Sequence, residues 1–366
     1  MNSWKIPLIL ILILMMGISV STQECDSIIE SKDTSQVYFY RHSIDSLALG
    51  RLHSYRMQIS GIQNYDQIFK VTPFFASLGN PGQAYKDLLF NPLQRNGFQF
   101  GPNSFDAYLF NNQNTEYYYL KEPFSELIYI LGPKKEQMVG VRFHTRIFPT
   151  TTIGADFRYI FAPGRYQRQK SDNKSLAASV QHFTRNRRYG IIANYLYNKV
   201  FVYENGGITS DSLFENNVES DRFVYPVNLY AAENQIREFS FFGNQFFNIQ
   251  KKHRKVNDST YVRRNIHAGR ISHSFYWAKH TQEYIDDQPA AGFYDNIYLD
   301  STRTHDSVYH FQIVNKLMWS NLGYLDSTER KPFYIYGAAR HEYHELGGYQ
   351  ERKYMNQFIP SAGLYW

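Results

Sequence analysis

The feature that most constrains this chain is a two-faced alternation of side chains, which recurs in extended segments from about residue 105 to the end. In the segment 137–148, Val139, Val141 and Phe143 fall on one face, and Arg142 and His144 fall on the other, because successive side chains of a strand point to opposite faces. Almost no segment has the helical period needed to cover an apolar sheet face. A sheet that closes on itself, with its apolar face in lipid and its polar face around water, solves this problem. The alternation therefore predicts an all-β fold, a membrane-spanning antiparallel up-and-down β-barrel.

The first residues have the layout of an export signal. Lys5 precedes an apolar run over 6–18, and the small residues Ser19 and Ser21 stand at the −3 and −1 positions relative to Thr22. The apolar run is too short to span a bilayer comfortably as a helix. We therefore expect a signal peptide at 1–21 and a mature protein in the cell outer membrane.

The composition is compatible with a barrel and excludes a helical membrane protein. The mean hydropathy is −0.49, and a soluble protein would have a similar value. The aromatic content of 17%, with 31 Tyr and 28 Phe, favours a barrel, in which aromatic girdles lie at the headgroup level. Glu24 beside Cys25 does not fit a lipidation site, and a single Cys cannot form an intrachain disulfide.

The net charge of +6 raises the question of an acidic partner. Two basic runs, 185–188 and 251–255, lie between strand-like segments, which is typical of charged turns or of contacts with lipid phosphates and surface polysaccharide. An exported protein rarely meets nucleic acid, so no nucleic-acid partner is expected. The expected partners are outer-membrane lipid, surface polysaccharide, the barrel-assembly machinery, small solutes and a second copy of the chain in a homo-oligomer.

The chain divides into a signal peptide, an irregular N-terminal segment at 22–104 and a barrel at 105–366. The N-terminal segment has one strand-like run at 37–40 and is expected on the periplasmic side or at the barrel mouth. A hairpin is predicted from 105–110 to 115–120. Further strands are predicted at 126–131, 137–148, 152–161, 175–183, 188–203, 236–249, 261–280, 308–322, 332–344 and 353–366.

The predicted connections alternate in length. Those at 149–150, 186–187 and 326–331 are short, whereas those at 162–174, 204–234 and 281–307 are long. Bacterial barrels pair short periplasmic turns with long external loops, so the long connections are expected outside the cell.

A series of short motifs over residues 70–215 resembles the putative porins of Bacteroidota. The motifs, in chain order, are Leu-Gly-Asn-Pro-Gly at 78–82, the strand 117–119 leading to Glu-Pro-Phe at 122–124, the run 127–132, the strand with His144, the strand 189–199 and Glu-Asn-Gly-Gly-Ile at 204–208. The resemblance implies a porin-like outer-membrane barrel. The polar run that usually follows the histidine in that family is replaced here by Thr145-Arg146-Ile147.

Two alternatives stay open for the end of the barrel. Members of the family are considerably longer than 366 residues, so the barrel is incomplete in this chain if the chain is a fragment. The terminal residues 363–366, Gly-Leu-Tyr-Trp, resemble instead the aromatic signal that is read by barrel-assembly machinery.

The polar faces of the predicted strands supply the candidate pore-lining residues, which are Arg142, His144, Arg146, Asp156, Arg158 and Lys316. These side chains project inward if Val141, Phe143 and Phe157 meet lipid. Inward arginine and lysine favour anions in a water-filled pore. The alternative is structural pairing, with Asp156 as one possible partner for the arginines.

No motif points to catalysis or to a cofactor. The histidines of His341-Glu342-Tyr343-His344 would point to opposite faces of a strand and could not share a metal ion. The sequence contains no nucleophile elbow and no phosphate-binding glycine loop, so an enzyme is not expected.

Three functions fit these observations. The first is a passive channel for small solutes with a polar, basic lumen. The second is a barrel with a filled lumen that acts as an envelope scaffold or docking protein. The third is a secreted, soluble all-β module that binds glycans.

The export signal gives a first testable prediction. Because the apolar run is followed by strands and not by a stop-transfer helix, we expect the mature chain to begin near Thr22 and to fractionate with the outer membrane. Cell fractionation with N-terminal sequencing measures both. Recovery in the inner membrane with residues 8–20 still attached would contradict it.

Overall fold

The computed structural model describes residues 37–47, 52–55, 65–90, 103–251, 266–296, 300, 302–321, 333–348 and 351–365. Five short strands come first: β1 Val37–Arg41, β2 His53–Tyr55, β3 Phe75–Ser77, β4 Tyr85–Asp87 and β5 Glu116–Tyr119. Ten longer strands follow: β6 Phe124–Leu131, β7 Gln137–Phe148, β8 Thr151–Ala162, β9 Ser171–Phe183, β10 Tyr189–Tyr203, β11 Glu233–Lys251, β12 Ile266–Asp286, β13 Thr304–Ser320, β14 Tyr334–Gly347 and β15 Arg352–Tyr365.

Helix is limited to single turns in these residues. The chain forms 3-10 turns at Asp106–Tyr108, Pro133–Lys135 and Arg222–Val224, and one α-helical turn, α1, at Asp211–Glu215. In the part of the chain that the structure describes, no helix is long and apolar enough to cross a membrane.

The ten long strands form one antiparallel sheet in which every strand pairs with its neighbours in sequence, from β6 to β15. The predicted all-β, up-and-down architecture is therefore confirmed. Each predicted strand from 126–131 onward corresponds to one observed strand, with ends that shift by a few residues. Among the described residues no pairing joins β6 to β15, so both edges of the sheet are open.

The two faces of this sheet have an inverted polarity. On one face, here called the outer face, apolar side chains such as Leu176, Ile191 and Trp319 are exposed. On the opposite face, the inner face, polar side chains such as Asn194 and Asn198 are almost completely buried. A soluble sheet buries its apolar face and exposes its polar one. Here the exposed face is the apolar one, and the buried face carries polar side chains beside apolar ones such as Ile192, which is the alternation predicted for a barrel.

The turn between β9 and β10 shows how local sequence ends a strand. The Asn186 side chain accepts a hydrogen bond from the Arg188 N–H at 3.1 Å, and Thr184 Oγ1 accepts one from the Tyr189 N–H at 3.1 Å. Arg187 has a positive φ of 52°. These side-chain bonds to the backbone hold a tight turn, so the basic run at 185–188 is a charged turn, as predicted.

The described residues between 37 and 120 do not join the ten-stranded sheet. These residues, here called the inner segment, contain β1–β5 and lie against the inner face. The predicted hairpin from 105–110 is wrong, because Asp106–Tyr108 is a 3-10 turn and β5 pairs with β1. The physical reason is that Phe105 and Tyr108 pack together against side chains of the inner face, which a strand with alternating faces could not do. The sheet thus begins at Phe124 and not at residue 105.

The connections only partly follow the predicted sorting by length. The long connections 163–170, 204–232 and 287–303 all lie at one end of the sheet. The short connections 132–136 and 348–351 lie at that same end, and the opposite end carries 149–150 and 184–188. β11 ends and β12 begins at this opposite end, as do β13 and β14. The predicted short connection 326–331 lies outside the described residues. The basic run 251–255 lies, after its first residue, outside the described residues.

The inverted faces generate a stability prediction. Leu176 is exposed on the outer face near the middle of β9, between Phe157 and Tyr197 of the neighbouring strands. If this face meets lipid, L176R should lower the free energy of unfolding by about 2–4 kcal/mol. V218R, at an exposed position in the connection 204–232, should change it by less than about 0.5 kcal/mol. Urea unfolding in phospholipid vesicles measures both, and equal effects would contradict a lipid-facing outer face.

Candidate functional site

The polar side chains of the inner face bind the main chain of the inner segment. The Asn198 amide forms a two-point clamp on Phe110: its Nδ2 donates to the Phe110 carbonyl at 2.8 Å, and its Oδ1 accepts from the Phe110 N–H at 2.8 Å. Ser175 Oγ donates to the Tyr108 carbonyl at 3.1 Å, and Asn194 Nδ2 donates to the Tyr117 hydroxyl at 2.8 Å. An irregular segment needs such partners because buried backbone groups cannot be left unpaired.

Apolar contacts add to these hydrogen bonds. Tyr40 and Tyr117 of the inner segment pack on Ile192 and Phe246 of the inner face. A second cluster contains Phe105 and Tyr108 of the inner segment and four side chains of β8, β10 and β11: Ile160, Val200, Val202 and Ile236. Full burial of one large apolar side chain is worth about 1.5–3 kcal/mol. The inner segment is therefore an integral part of the fold.

The motif at 78–82 is an anchor of the inner segment. Asn80 Nδ2 donates to the Gln169 carbonyl at 2.7 Å, and Asn173 Nδ2 donates to the Gly82 carbonyl at 2.8 Å. Gly82 has a φ of +85°, and a Cβ atom there would lie 2.8 Å from Asn173 Nδ2 and 3.0 Å from Ser171 Oγ. Glycine is thus required both by the backbone conformation and by the close approach to β9.

His144, on the inner face of β7, is completely buried. Its Nε2 lies 3.0 Å from Asp156 Oδ1, and its ring centroid lies 4.1 Å from that of Tyr118 in the inner segment. A Cβ atom at Gly154, the residue that faces His144 on β8, would lie 2.0 Å from His144 Nδ1. This glycine makes room for the ring, and Asp156 orients it.

The arginines of β7 and β8 have different surroundings. Arg142 forms ion pairs with Glu116 of the inner segment at 3.4 Å and with Glu126 of β6 at 3.5 Å. The Arg158 guanidinium lies over the ring of Phe110, 4.6 Å from its centroid. Arg146 is exposed. Two of the three arginines thus contact the inner segment.

The turn 43–47 of the inner segment is held by β13 and β14. Lys316 Nζ donates to the carbonyls of Ile44 and Ser46 at 3.0 and 3.2 Å. Arg340 Nη1 lies 2.6 Å from Asp45 Oδ1, and the Tyr334 hydroxyl donates to the carbonyl of Leu47 at 2.8 Å. A buried amine that binds carbonyls replaces the water it has lost. Lys316 therefore fixes this turn to the sheet.

A chain of buried polar groups continues from Arg340 along the inner face. Arg340 Nε lies 2.5 Å from Glu342 Oε1, Glu342 Oε2 lies 3.0 Å from His344 Nε2, and His344 Nδ1 lies 3.1 Å from His310 Nε2. Sequence analysis missed the roles of Arg340, Glu342 and His310. Their even spacing in β14 and β13, on the same face as Lys316, was the available signal.

The predicted opposite orientation of His341 and His344 is confirmed, since His341 is exposed and His344 is buried. Within the described ranges, no group of three or more His, Cys, Asp or Glu side chains is arranged to hold a metal ion.

A cavity of about 130 Å³ remains between the inner segment and strands β11 and β12. Asp106 and Ser104 line it from the inner segment, and Asn234, His280 and Gln282 line it from the sheet. Desolvation by the surrounding protein, reinforced by the negative charge of Glu238, raises the pKa of Asp106 to about 6. The cavity thus brings an ionisable group of the inner segment next to open space.

All six predicted pore-lining residues lie on the inner face. Four of them, Arg142, His144, Arg158 and Lys316, contact the inner segment. Asp156 binds His144, and Arg146 is exposed. Their lining of a solute path stays a prediction.

Comparison with known proteins identifies one family. A family model described as "putative porin" matches residues 52–360, which extends the resemblance beyond residues 70–215. No curated protein and no solved structure matches the chain significantly.

The anchor at 78–82 provides a matched pair of glycine variants. Gly79 and Gly82 both have a positive φ, but a Cβ atom at Gly79 would have no neighbour within 4 Å. G79A should therefore cost only the conformational penalty of about 1–2 kcal/mol, whereas G82A must also displace Asn173. We expect faster amide hydrogen exchange at Gln83 and Tyr85 in G82A than in G79A. Equal exchange in the two variants would show that the close approach to β9 does not hold the anchor.

Proposed function

The chain belongs to the putative porin family, and on that premise we propose that it resides in an outer membrane and passes small solutes passively along the polar inner face of its sheet. The observation that carries the proposal is the inverted polarity of the two faces. Exposed apolar side chains such as Leu176 and Trp319 suit contact with lipid, whereas the inner face carries polar side chains, which bind the inner segment and line the cavity beside it.

The open edges of the sheet fit a membrane only when they are paired. In hydrocarbon, each unpaired backbone N–H or C=O costs several kcal/mol. β6 and β15 must therefore pair in the membrane, either with each other or with another strand. The third function that the sequence left open, a soluble glycan-binding module, has no need for an exposed apolar face of this extent.

The inner segment narrows the proposed path. It contacts the inner face from β7 to β14 through groups such as Glu116, Phe110 and Ile44. These contacts also favour the second candidate function, an envelope scaffold or docking protein with a filled lumen. The two candidates differ in whether a continuous water path remains beside the inner segment.

We assign the basic residues of the wall mainly to holding the inner segment. The charge of Arg142 is compensated by Glu116 and Glu126, and Lys316 binds two main-chain carbonyls. A compensated charge contributes little to the potential in a pore. Arg146 is exposed and would keep an electrostatic effect on passing anions.

Conductance of the full chain in planar lipid bilayers tests the channel proposal. We expect single-channel current steps that follow the electrochemical gradient, because the proposed path is passive. The double variant D45N/K316M removes the clamps on the turn 43–47 and should increase the unit conductance or its fluctuations. D211N, in the exposed turn α1, should not.

Absence of conductance in the unmodified chain would contradict the channel and favour the filled-lumen scaffold. Equal conductance in the chain and in D45N/K316M would show that the turn 43–47 does not limit the path.

A further inference from the structure

The cavity between the inner segment and strands β11 and β12 combines charged, amide and apolar groups. Asp106, Asn234 and Gln282 contribute oxygen and nitrogen atoms, whereas Phe105 and Ile236 form an apolar wall. Such a mixture of a few polar groups on an apolar lining is typical of small-molecule sites. The volume of about 130 Å³ limits the occupant to a small solute.

Asp106 is held toward this cavity by its neighbours. Phe105 and Ala107, on either side of it, are buried in the cluster against the sheet, so the 3-10 turn cannot rotate freely. The Tyr85 N–H donates to the Ser104 carbonyl at 3.0 Å and ties the turn to β4. Part of Asp106 is exposed although the surrounding protein desolvates its carboxylate, so water and a small solute can reach it from the cavity.

The charges around the cavity are mainly acidic. Glu238 on β11 is the direct cross-strand partner of His280 on β12, and the two side chains lie 3.7 Å apart. Glu204, next to the end of β10, accepts a hydrogen bond from Asn234. The cavity therefore has the Asp106 carboxylate and the His280 imidazole in its lining, and Glu238 and Glu204 stand behind it as partners of His280 and Asn234.

We propose that this cavity is a binding site for small cationic solutes, such as primary amines, with the Asp106 carboxylate as their counter-charge. The proposal rests on the proposed function, since it makes the cavity a binding site along the solute path. It gives that path a preference for cations at this point, because the wall arginine Arg142 is compensated by its own acidic partners whereas Asp106 faces open space.

The site should lose its charge on mild acidification. The pKa of Asp106 is raised to about 6, first by desolvation and then by Glu238, with His280 acting in the opposite direction. Burial, and then the negative charge of Asp106, raise the pKa of the neighbouring Tyr85, and burial raises the pKa of Glu204. A raised carboxyl pKa means that the charged form dominates above about pH 6 and the neutral form below it. Cation binding is therefore expected at pH 7.5 and not at pH 5.

A cysteine reporter measures the local potential without any need for conductance. In a chain with Cys25 replaced by Ser, S104C places a thiol in the lining of the cavity. Its reaction rates are compared for a cationic and an anionic methanethiosulfonate of similar size. The ratio of the two rates cancels the thiolate fraction and reports the sign of the potential.

We expect the cationic reagent to react faster at pH 7.5. Adding D106N should lower the rate ratio about five- to tenfold, because one charge several ångström away acts in opposite directions on the two reagents. In the chain that keeps Asp106, the ratio of the cationic to the anionic reaction rate should fall by a similar factor between pH 7.5 and pH 5. D211N is the control for loss of a distant carboxylate.

The outcomes separate this inference from the proposed function. A ratio that D106N leaves unchanged, or a thiol that neither reagent reaches, would overturn the cation site even if the protein conducts. A charge-dependent ratio in a protein without conductance would keep the site and overturn the channel. Protection of the S104C thiol by ethylammonium at pH 7.5, and not at pH 5, would support amine binding directly. Equal protection at the two pH values would contradict it.

Discussion

The structure depends on hydrogen bonds between polar side chains of the sheet and the main chain of the inner segment. Asn198 satisfies both backbone groups of Phe110, and Lys316 satisfies two carbonyls of the turn 43–47. Each partner needs the other: without the segment, the inner face would need water, and without the sheet, an irregular chain would have unpaired backbone groups. A buried polar group left without a partner costs about 1–3 kcal/mol. This reciprocal pairing explains how the inner face can bury asparagine and serine beside apolar side chains such as Ile192, while the apolar side chains of the outer face stay exposed.

The same contacts change the interpretation of charge at the wall. A row of inward basic residues suggests an anion path when it is considered alone. Arg142, Arg158 and Lys316, however, are engaged by an ion pair, an aromatic ring and carbonyl groups of the inner segment. The charges that act on a solute are those that face open space, and Asp106 is one of them. In the proposed solute path, the position of the inner segment therefore matters more than the composition of the sheet for which solutes are attracted.

The family motif at 78–82 acquires a physical meaning from the structure. Its asparagine and its second glycine lie where the inner segment touches the end of β9, and the glycine is required by both φ and space. His144, in another part of the same resemblance, packs against Tyr118 of the inner segment with Gly154 making room for it. Both features join the inner segment to the sheet. The resemblance thus concerns the packing of the inner segment as well as the alternation of the strands.

The sequence by itself determined the strands of the sheet, their order and the face on which each side chain lies. That was possible because a period of two is a local property, so Arg142 and His144 share a face whatever surrounds them. It did not determine that Phe105–Tyr108 leaves the strand conformation, since that depends on contacts with Ile160 and Val200, far away in the chain. The ion pair of Glu116 with Arg142 and the placement of Asp106 near His280 likewise follow from long-range packing. Only the tertiary structure decided these partners, because a side chain's direction is set by its own strand but its neighbour is set by the fold.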